Sequence, residues 1–242
     1  MTSQNKRCAL ITGASSGIGK ATALAFAASG IDVALVSRSQ DKLEAIASKA
    51  QETGVKAQAY VLDLAKIEQV KAGIEAIAAE FAGIDILVNN AGIAYTNTLE
   101  ETPLSDWQQV MNLNLTSVFQ CIQGILPVMR NQKRGTIINV ASIAGQQPFP
   151  GWGAYSVSKA ALIALSQTLA AEERQNGIRV VSICPGAVNT PLWDTDTVQV
   201  DLNRSAMLTP EIVAQSILHA VLMPEQAVIE SITLMPSAGA LD

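Results

Sequence analysis

The sequence is poor in charge, in aromatic residues and above all in histidine. Of 242 residues, 15% are charged and 4% aromatic, and His219 is the only imidazole. With 49% hydrophobic residues beside so little charge, the chain has ample material for a large core, which excludes a disordered or fibrous architecture. The formal net charge of −5 and the lack of any block of consecutive basic residues remove the electrostatic footprint of a nucleic-acid partner. No run of about 18 uncharged apolar residues occurs, so no membrane-spanning helix is expected. The polar start, Met1 to Arg7, leads into an apolar stretch that stops at Thr12-Gly13, too short for the core of a secretion signal. Cys8, Cys121 and Cys184 are three in number, far apart and outside any CxxC pattern, and they predict buried free thiols in a reducing compartment. With one histidine and scattered cysteines, no metal site is expected. The expectation is a soluble, cytoplasmic protein of one domain spanning residues 1–242.

What the sequence does have is alternation. Short β-branched runs at Cys8 to Thr12, Asp32 to Ser37, Ala57 to Leu62, Ile84 to Asn89, Thr136 to Val140, Arg179 to Cys184 and Ala227 to Leu234 predict strands. Between them lie helical segments near Gly17 to Ser29, Gln40 to Glu52, Ile67 to Phe81, Leu104 to Arg130, Ala154 to Arg174 and Pro210 to Leu222. This is the pattern of repeated βαβ units: an α/β fold with seven mostly parallel strands and helices on both faces. The stretch from Gly186 to Met207 has no clear period and is expected to be a mobile loop over a site.

Directly after the first predicted strand comes Thr12-Gly13-Ala14-Ser15-Ser16-Gly17-Ile18-Gly19. A tight turn from strand to helix start presents free backbone N–H groups to an anion, and glycines let a phosphate approach that backbone. The Walker A pattern does not fit, because Ala14 stands where its first glycine would be and Ala21 follows Lys20. The spacing also departs from GxGxxG. Taken alone, the turn could equally be a plain connection.

TGxxxGxG at Thr12 to Gly19, Asn89-Asn90-Ala91-Gly92, Asn114, Ser142, Tyr155-Ser156-Val157-Ser158-Lys159 and Pro185-Gly186 occur in this order along nearly the whole chain. Together they resemble the short-chain dehydrogenase/reductase family. The resemblance implies a Rossmann fold with strand order 3-2-1-4-5-6-7, a nicotinamide cofactor and a catalytic set of Asn114, Ser142, Tyr155 and Lys159. It also implies a cofactor site made from Gly13, Ser15, Ser16, Gly17, Ile18 and Gly19, from Ser37 and Arg38, and from Asp63 and Leu64. Asn90, Ala91 and Gly92, Tyr155 and Lys159, and Pro185, Gly186, Val188 and Thr190 complete that site.

The residues make chemical sense of these roles. Tyr155 and Lys159 are four apart in a helical stretch and so share one face. Lowering a phenol pKa of about 10 by about three units needs roughly 4 kcal/mol. An ammonium at about 4 Å supplies that only where the effective dielectric is near 20, so the pair needs a partly dry site. Alone, such a pair is usually an ordinary helix-surface contact. Ser142 follows an apolar strand at the edge where open α/β sheets bind ligands, and its hydroxyl could hold a carbonyl oxygen while Tyr155 moves the proton. A serine-hydrolase reading lacks a GxSxG elbow, and His219 is remote in sequence. The resemblance places Asn114 where an asparagine interrupts a helix, with Asn112 as its near neighbour.

A carboxylate at the end of the second strand would favour NAD, but the sequence there reads Val36-Ser37-Arg38-Ser39. A 2′-phosphate would meet a guanidinium and hydroxyls, which points to NADP(H). Many NADP-dependent relatives carry a second basic residue where this chain has Ser16. For Asp63 the alternative is a helix N-cap. Phe149, Trp152, Leu192 and Trp193 near the expected pocket, with Asp194, Asp196 and Asp201 on the loop, argue for an apolar or aromatic carbonyl substrate over a small polyanion. Asn114-Leu115-Thr116-Ser117-Val118-Phe119 resembles the 3-oxoacyl-[acyl-carrier-protein] reductase branch, whereas Ile232 to Ser237 lacks that branch's glycine-rich ending. A cofactor-binding regulator or scaffold is the non-enzyme alternative, opposed by the intact Ser142, Tyr155 and Lys159. The helical segments Leu104 to Arg130 and Ala154 to Arg174 carry small and apolar residues, including Ala160, Ala161, Ala164, Leu165 and Leu169, beyond one sheet-facing stripe. Relatives pair these two helices across a two-fold axis and use the last strand and helix for a second interface, and the resemblance therefore implies a homotetramer.

Overall fold

Strands β1 (Cys8–Thr12), β2 (Asp32–Ser37), β3 (Ala57–Val61), β4 (Ile86–Asn89), β5 (Gly135–Val140), β6 (Ile178–Pro185) and β7 (Ser231–Leu234) form one sheet in the order β3-β2-β1-β4-β5-β6-β7, every pair parallel. This computed structural model describes residues 6–81, 83–200 and 203–237. Helices α1 (Gly17–Ala28), α2 (Gln40–Gln51) and α7 (Pro210–Leu222) cover one face; α3 (Ile67–Glu80), α5 (Ser117–Gln132) and α6 (Gly153–Glu173) cover the other, with α4 (Leu104–Met111) leading into α5. Parallel strands covered on both faces need apolar residues at every position, and β1 and β5 are buried from end to end. Within β1, Ala9 and Ile11 meet the α1/α2/α7 layer, while Cys8 and Leu10 meet the α3/α5/α6 layer.

The predicted helix from Leu104 to Arg130 is two helices. Between α4 and α5, Asn112–Thr116 widens into a π turn, and the cause lies in Asn114, whose side chain is bonded outside the helix. The strand predicted from Ala227 begins only at Ser231, because Arg179 takes the segment before it. Its guanidinium donates to the carbonyls of Val221, Met223, Pro224 and Ala227 at 2.9–3.3 Å, capping the end of α7 with positive charge. The predicted start of β4 at Ile84 moves to Ile86, since Asp85 caps neighbouring strands: its carboxylate accepts from the Cys8 N–H at 2.9 Å and from Arg134 Nε at 3.0 Å.

One polar group crosses the core. Asn89 Nδ2 donates to Asn139 Oδ1 at 2.8 Å, Asn139 Nδ2 donates to Ser166 Oγ at 2.8 Å, and Ser166 Oγ donates to the Leu162 carbonyl at 2.7 Å. All three side chains are buried, and they tie β4, β5 and α6 together directly beneath the carboxyl edge of the sheet.

Cys8, Cys121 and Cys184 are buried free thiols, and His219 lies exposed in the last turn of α7. No helix among the described residues is long and apolar enough to cross a membrane.

Candidate active site

The carboxyl ends of β1 to β6 open onto a cleft with a cavity of about 400 Å³. At one end of it lies the start of α1. Gly13 and Gly17 take φ of 63° and 52°, a left-handed turn that lets the chain double back from β1 into the helix. The first-turn N–H groups of α1 have no intrahelical acceptors, and the Ser16 side chain makes no capping bond to them. Thr12 holds the neighbouring loop: its hydroxyl donates to the Val88 carbonyl and accepts from the N–H groups of Asn90 and Ala91 at 3.0 and 3.1 Å. Asn90 Nδ2 returns to the carbonyls of Thr12 and Gly13 at 3.1 and 3.3 Å. Two loops that face the cleft are therefore one rigid unit.

Gly13, Ser15, Ser16, Gly17, Ile18, Ser37, Arg38, Asp63, Leu64, Asn90, Ala91, Gly92, Pro185, Gly186, Val188 and Thr190 all line the cleft, as do Ser142, Tyr155 and Lys159. Gly19 does not. It sits behind the turn, where a Cβ would come within 2.3 Å of the Gly13 carbonyl oxygen, so its lack of a side chain serves helix–strand approach and not contact with a ligand. Asn114 is also behind the cleft wall and fully buried, while Asn112 is exposed. Asp63 caps the turn after β3 through Ala65 N–H at 3.1 Å; helix α3 starts only at Ile67, so Asp63 is not its N-cap.

The other end of the cleft is built on α6. Lys159, 5% exposed, donates from Nζ to the Val140 carbonyl at 2.9 Å, pinning α6 to the end of β5. One turn earlier, the Tyr155 ring centroid lies 5.7 Å from that ammonium. Ser142 stands in extended backbone two residues past β5, and its hydroxyl accepts from the Ala144 N–H at 3.1 Å. Asn114 supplies the brace. Its Oδ1 accepts from Ile93 N–H at 2.9 Å, and its Nδ2 donates to the Ile93 carbonyl at 2.9 Å and to Ser158 Oγ at 3.1 Å. Ser158 Oγ donates in turn to the Tyr155 carbonyl at 2.7 Å. Ser158, Ile93 and the Val140 carbonyl carried no assigned role in the sequence. The last two act through backbone atoms, which leave no residue-type signal.

Burial sets the electrostatics of this end. It pushes the Tyr155 phenol up from its ordinary value, with the Ser142 hydroxyl acting weakly in the opposite sense. It pushes Lys159 down to about 8. The direction is opposite to the lowering of the phenol expected from the ammonium, because desolvation is the largest influence on each group.

The segment from Gly186 to Met207 is more tightly held than expected of a mobile loop. A β-bridge joins Val188 to Leu208 at its base, and two short 3₁₀ turns, Pro191–Asp194 and Arg204–Ala206, organise it. Arg204 binds the Asp194 carboxylate at 3.1 Å and Asn189 Oδ1 at 3.0 Å, so Asp194 is a partner inside the loop and not a charge facing the cleft. Asp196 is exposed, and Asp201 lies outside the described residues. The loop is also sewn to the segment after β4, through Thr96 N–H to the Thr197 carbonyl at 2.9 Å and Thr197 Oγ1 to the Ala94 carbonyl at 2.8 Å. Phe149, Leu192 and Trp193 pack with Trp152 and Tyr155 in one apolar cluster.

A doubly wound parallel sheet with a free helix N-terminus at one end of its cleft and a buried Tyr–Lys pair at the other defines a nucleotide-binding α/β protein. The sequence profile of the short chain dehydrogenase family matches residues 7–200. A 3-oxoacyl-[acyl-carrier-protein] reductase of Thermotoga maritima is 38% identical over 226 residues, 90% of this chain and 91% of that protein. A protein of the same name from Synechocystis is 40% identical over 195 residues, 80% of this chain and 79% of that one. Among solved structures, the alcohol dehydrogenase of Thermococcus sibiricus complexed with 5-hydroxy-NADP superposes with a TM-score of 0.88 at 29% identity, covering 96% of this chain and 97% of that one. The chain belongs to the short-chain dehydrogenase/reductase family.

The buried ammonium makes a test that needs no substrate. An unfolded lysine has a pKa of about 10.4. Below about pH 8 the group is charged in both states and its burial cost is fully present. From about 8 to 10 the folded lysine is neutral while the unfolded one is still protonated, so its contribution to stability rises with pH. Lys159→Met should therefore raise the free energy of urea unfolding at pH 7 by about 1 kcal/mol or more, with the advantage shrinking between pH 8 and 10. A difference that does not vary with pH would refute this account.

Proposed function

We propose that the chain is an NADP(H)-dependent oxidoreductase that reversibly reduces a carbonyl on an apolar or small substrate to a secondary alcohol, residues 1–242 acting as one unit. The observation that carries this reading is the single cleft that has Ser142, Tyr155 and Lys159 at one end and the free N-terminus of α1 with Arg38 at the other.

The cofactor fits these residues. Cβ atoms at Gly13 and Gly17 would run into Asn90 and Thr190, at 2.8 and 3.1 Å, so bare backbone lines the approach to the α1 N–H groups, where a pyrophosphate would bind. Arg38 is exposed at the end of β2 with Ser37 and Ser39 beside it, a donor set suited to a 2′-phosphate. The solved relative complexed with 5-hydroxy-NADP supports the same choice. When bound, the dihydronicotinamide supplies the hydride. The Ser142 hydroxyl holds the substrate oxygen, and Tyr155, kept protonated by its burial, donates a proton to that oxygen as charge develops on it. Lys159, fixed by Val140, has two further N–H donors for the nicotinamide ribose and stabilises the phenolate left behind. Asn114 is the positioning residue that holds the backbone of Tyr155 through Ser158.

A second reading, 3-oxoacyl-[acyl-carrier-protein] reduction, is favoured by the names of the relatives at 38–40% identity. It is a narrower form of the same chemistry. A cytoplasmic location fits three buried free thiols. Assembly as a homotetramer is supported by an unpartnered patch on α5 and α6, where Phe119 and Val157 are each 42% exposed and a shallow apolar hollow is lined by Leu115, Phe119, Ala161 and Leu165. Leu169, expected on that face, lies instead in the sheet-facing core.

Three measurements test this reading. With NADPH and a panel of carbonyls, the parent protein should turn over, and Tyr155→Phe should lose turnover while keeping NADPH affinity within about tenfold. Normal turnover by that variant removes Tyr155 from the mechanism. Arg38→Ala should raise the KM for NADPH about tenfold or more, roughly 1.4 kcal/mol, with little change for NADH. Equal use of both cofactors by the parent defeats the NADP assignment. Light scattering at micromolar concentration should return about 100 kDa, four times the 25.4 kDa chain; a monomer mass refutes the assembly.

A further inference from the structure

The substrate end of the cleft is chemically one-sided. Arg38, Asp63 and Lys159 are the charged residues among its lining. Arg38 and Asp63 stand past the ends of β2 and β3, at least three strand positions from β5, after which Ser142 stands. Lys159 gives one N–H to the Val140 carbonyl and, on the reading above, the other two to the nicotinamide ribose and its charge to the Tyr155 phenolate. Among the described residues Lys159 is the one cation at this end, so a carboxylate or phosphate brought beside Tyr155 would be desolvated there and would compete for that ammonium with the phenolate formed when Tyr155 gives up its proton.

Rings take up that space instead. Trp152 meets Tyr155 at a centroid distance of 5.5 Å and an interplanar angle of 65°, and it meets Trp193 at 5.8 Å and 72°. The Trp193 indole N–H is used up on the Val188 carbonyl at 2.7 Å, so the ring offers this corner only carbon. Phe149 and Leu192 pack against the same cluster. The corner is also pre-formed, since the loop carrying Trp193 is held by Arg204 and by the Thr96–Thr197 pairing.

We propose that this aromatic corner selects an uncharged ketone bearing a planar, aryl-type group next to its carbonyl, with Trp152 and Trp193 as the specificity-determining residues. The proposal rests on the carbonyl-reductase reading. Once the carbonyl oxygen lies between Ser142 and Tyr155, a substituent on the reacting carbon lies within reach of Trp152, which packs on the Tyr155 ring. A flat ring can complete edge-to-face contacts there that an alkyl chain cannot make. It also has few rotamers to lose on ordering, whereas a straight acyl chain loses several.

The test uses the intact protein with NADPH and compares kcat/KM values. Acetophenone is set against 2-octanone, which has as many carbons. Ethyl benzoylformate is set against benzoylformate, which differs in charge. The N-acetylcysteamine thioester of acetoacetate stands for a carrier-delivered acyl group. Acetophenone should exceed both 2-octanone and the thioester about tenfold or more, and the ester should exceed the carboxylate by a similar factor. Trp152→Leu and Trp193→Leu should bring the aryl-to-alkyl ratio close to one, while Trp152→Phe preserves most of it. Because the readout is a ratio, partial loss of folded protein does not affect it. Turnover that favours 2-octanone, the thioester or benzoylformate overturns this inference and leaves the carbonyl-reductase reading in place, as does a ratio unchanged by both leucine variants. Failure to reduce any carbonyl, with NADPH binding intact by fluorescence, overturns both.

Discussion

The carboxamide of Asn114 is the constraint on which the geometry of the site depends. It pairs with both backbone groups of Ile93 as another strand would, and its remaining N–H reaches Ser158, which in turn holds the carbonyl of Tyr155. Three separate elements, the loop after β4, the junction of α4 and α5, and the start of α6, are joined through one fully buried side chain. The helix widens at Asn112–Thr116 to let this happen. Irregular helical turns of this kind are costly where nothing compensates them, and here three hydrogen bonds do so. Gly92 belongs to the same design, since a Cβ there would press on Asn114 Oδ1 at 3.0 Å.

Against that rigid frame, the Tyr155–Lys159 pair is set in tension. Burial favours the neutral form of each partner, raising the phenol and lowering the ammonium. Proton transfer needs such dryness, because in bulk water an ammonium some ångströms away does little to a phenol. The fold therefore carries a local instability in the same place where it gains reactivity, an arrangement common at sites where pKa values must be moved.

The sheet was almost fully legible, because buried parallel strands read as unbroken apolar runs and helices as longer Ala-rich ones. All seven strands and their order agree with the expectation, and α7 does so to the residue. Two of the cofactor and catalytic candidates, Gly19 and Asn114, lie behind the cleft wall and not on it, which sequence spacing cannot distinguish. The break between α4 and α5 was implied only by resemblance, since nothing in the local propensity of Met111 to Ser117 marks it. The contacts that hold the loop after β6 were out of reach for a related reason. They come from Arg204 and from pairing with the segment around Thr96, about ten and about one hundred residues apart in sequence. The direction of the Tyr155 shift was also out of reach, because it depends on burial and not on spacing.

The buried link from Asn89 through Asn139 to Ser166 has a consequence for how the chain reaches this structure. Apolar strands can slide past one another with little penalty, and parallel pairings between distant segments form slowly. A slip of β5 by one residue against β4 would turn the Asn139 carboxamide to the opposite face, into the layer of α1 and α7, and leave it without a partner. The same slip would leave Ser166 and Asn89 facing valine and isoleucine. The cost of stranding these groups makes each wrong alignment a shallow minimum, so the polar link acts as a check on strand alignment during folding. It does so at the joint that carries Ser142 and Lys159, where a misaligned strand would otherwise be hidden in a well-packed core.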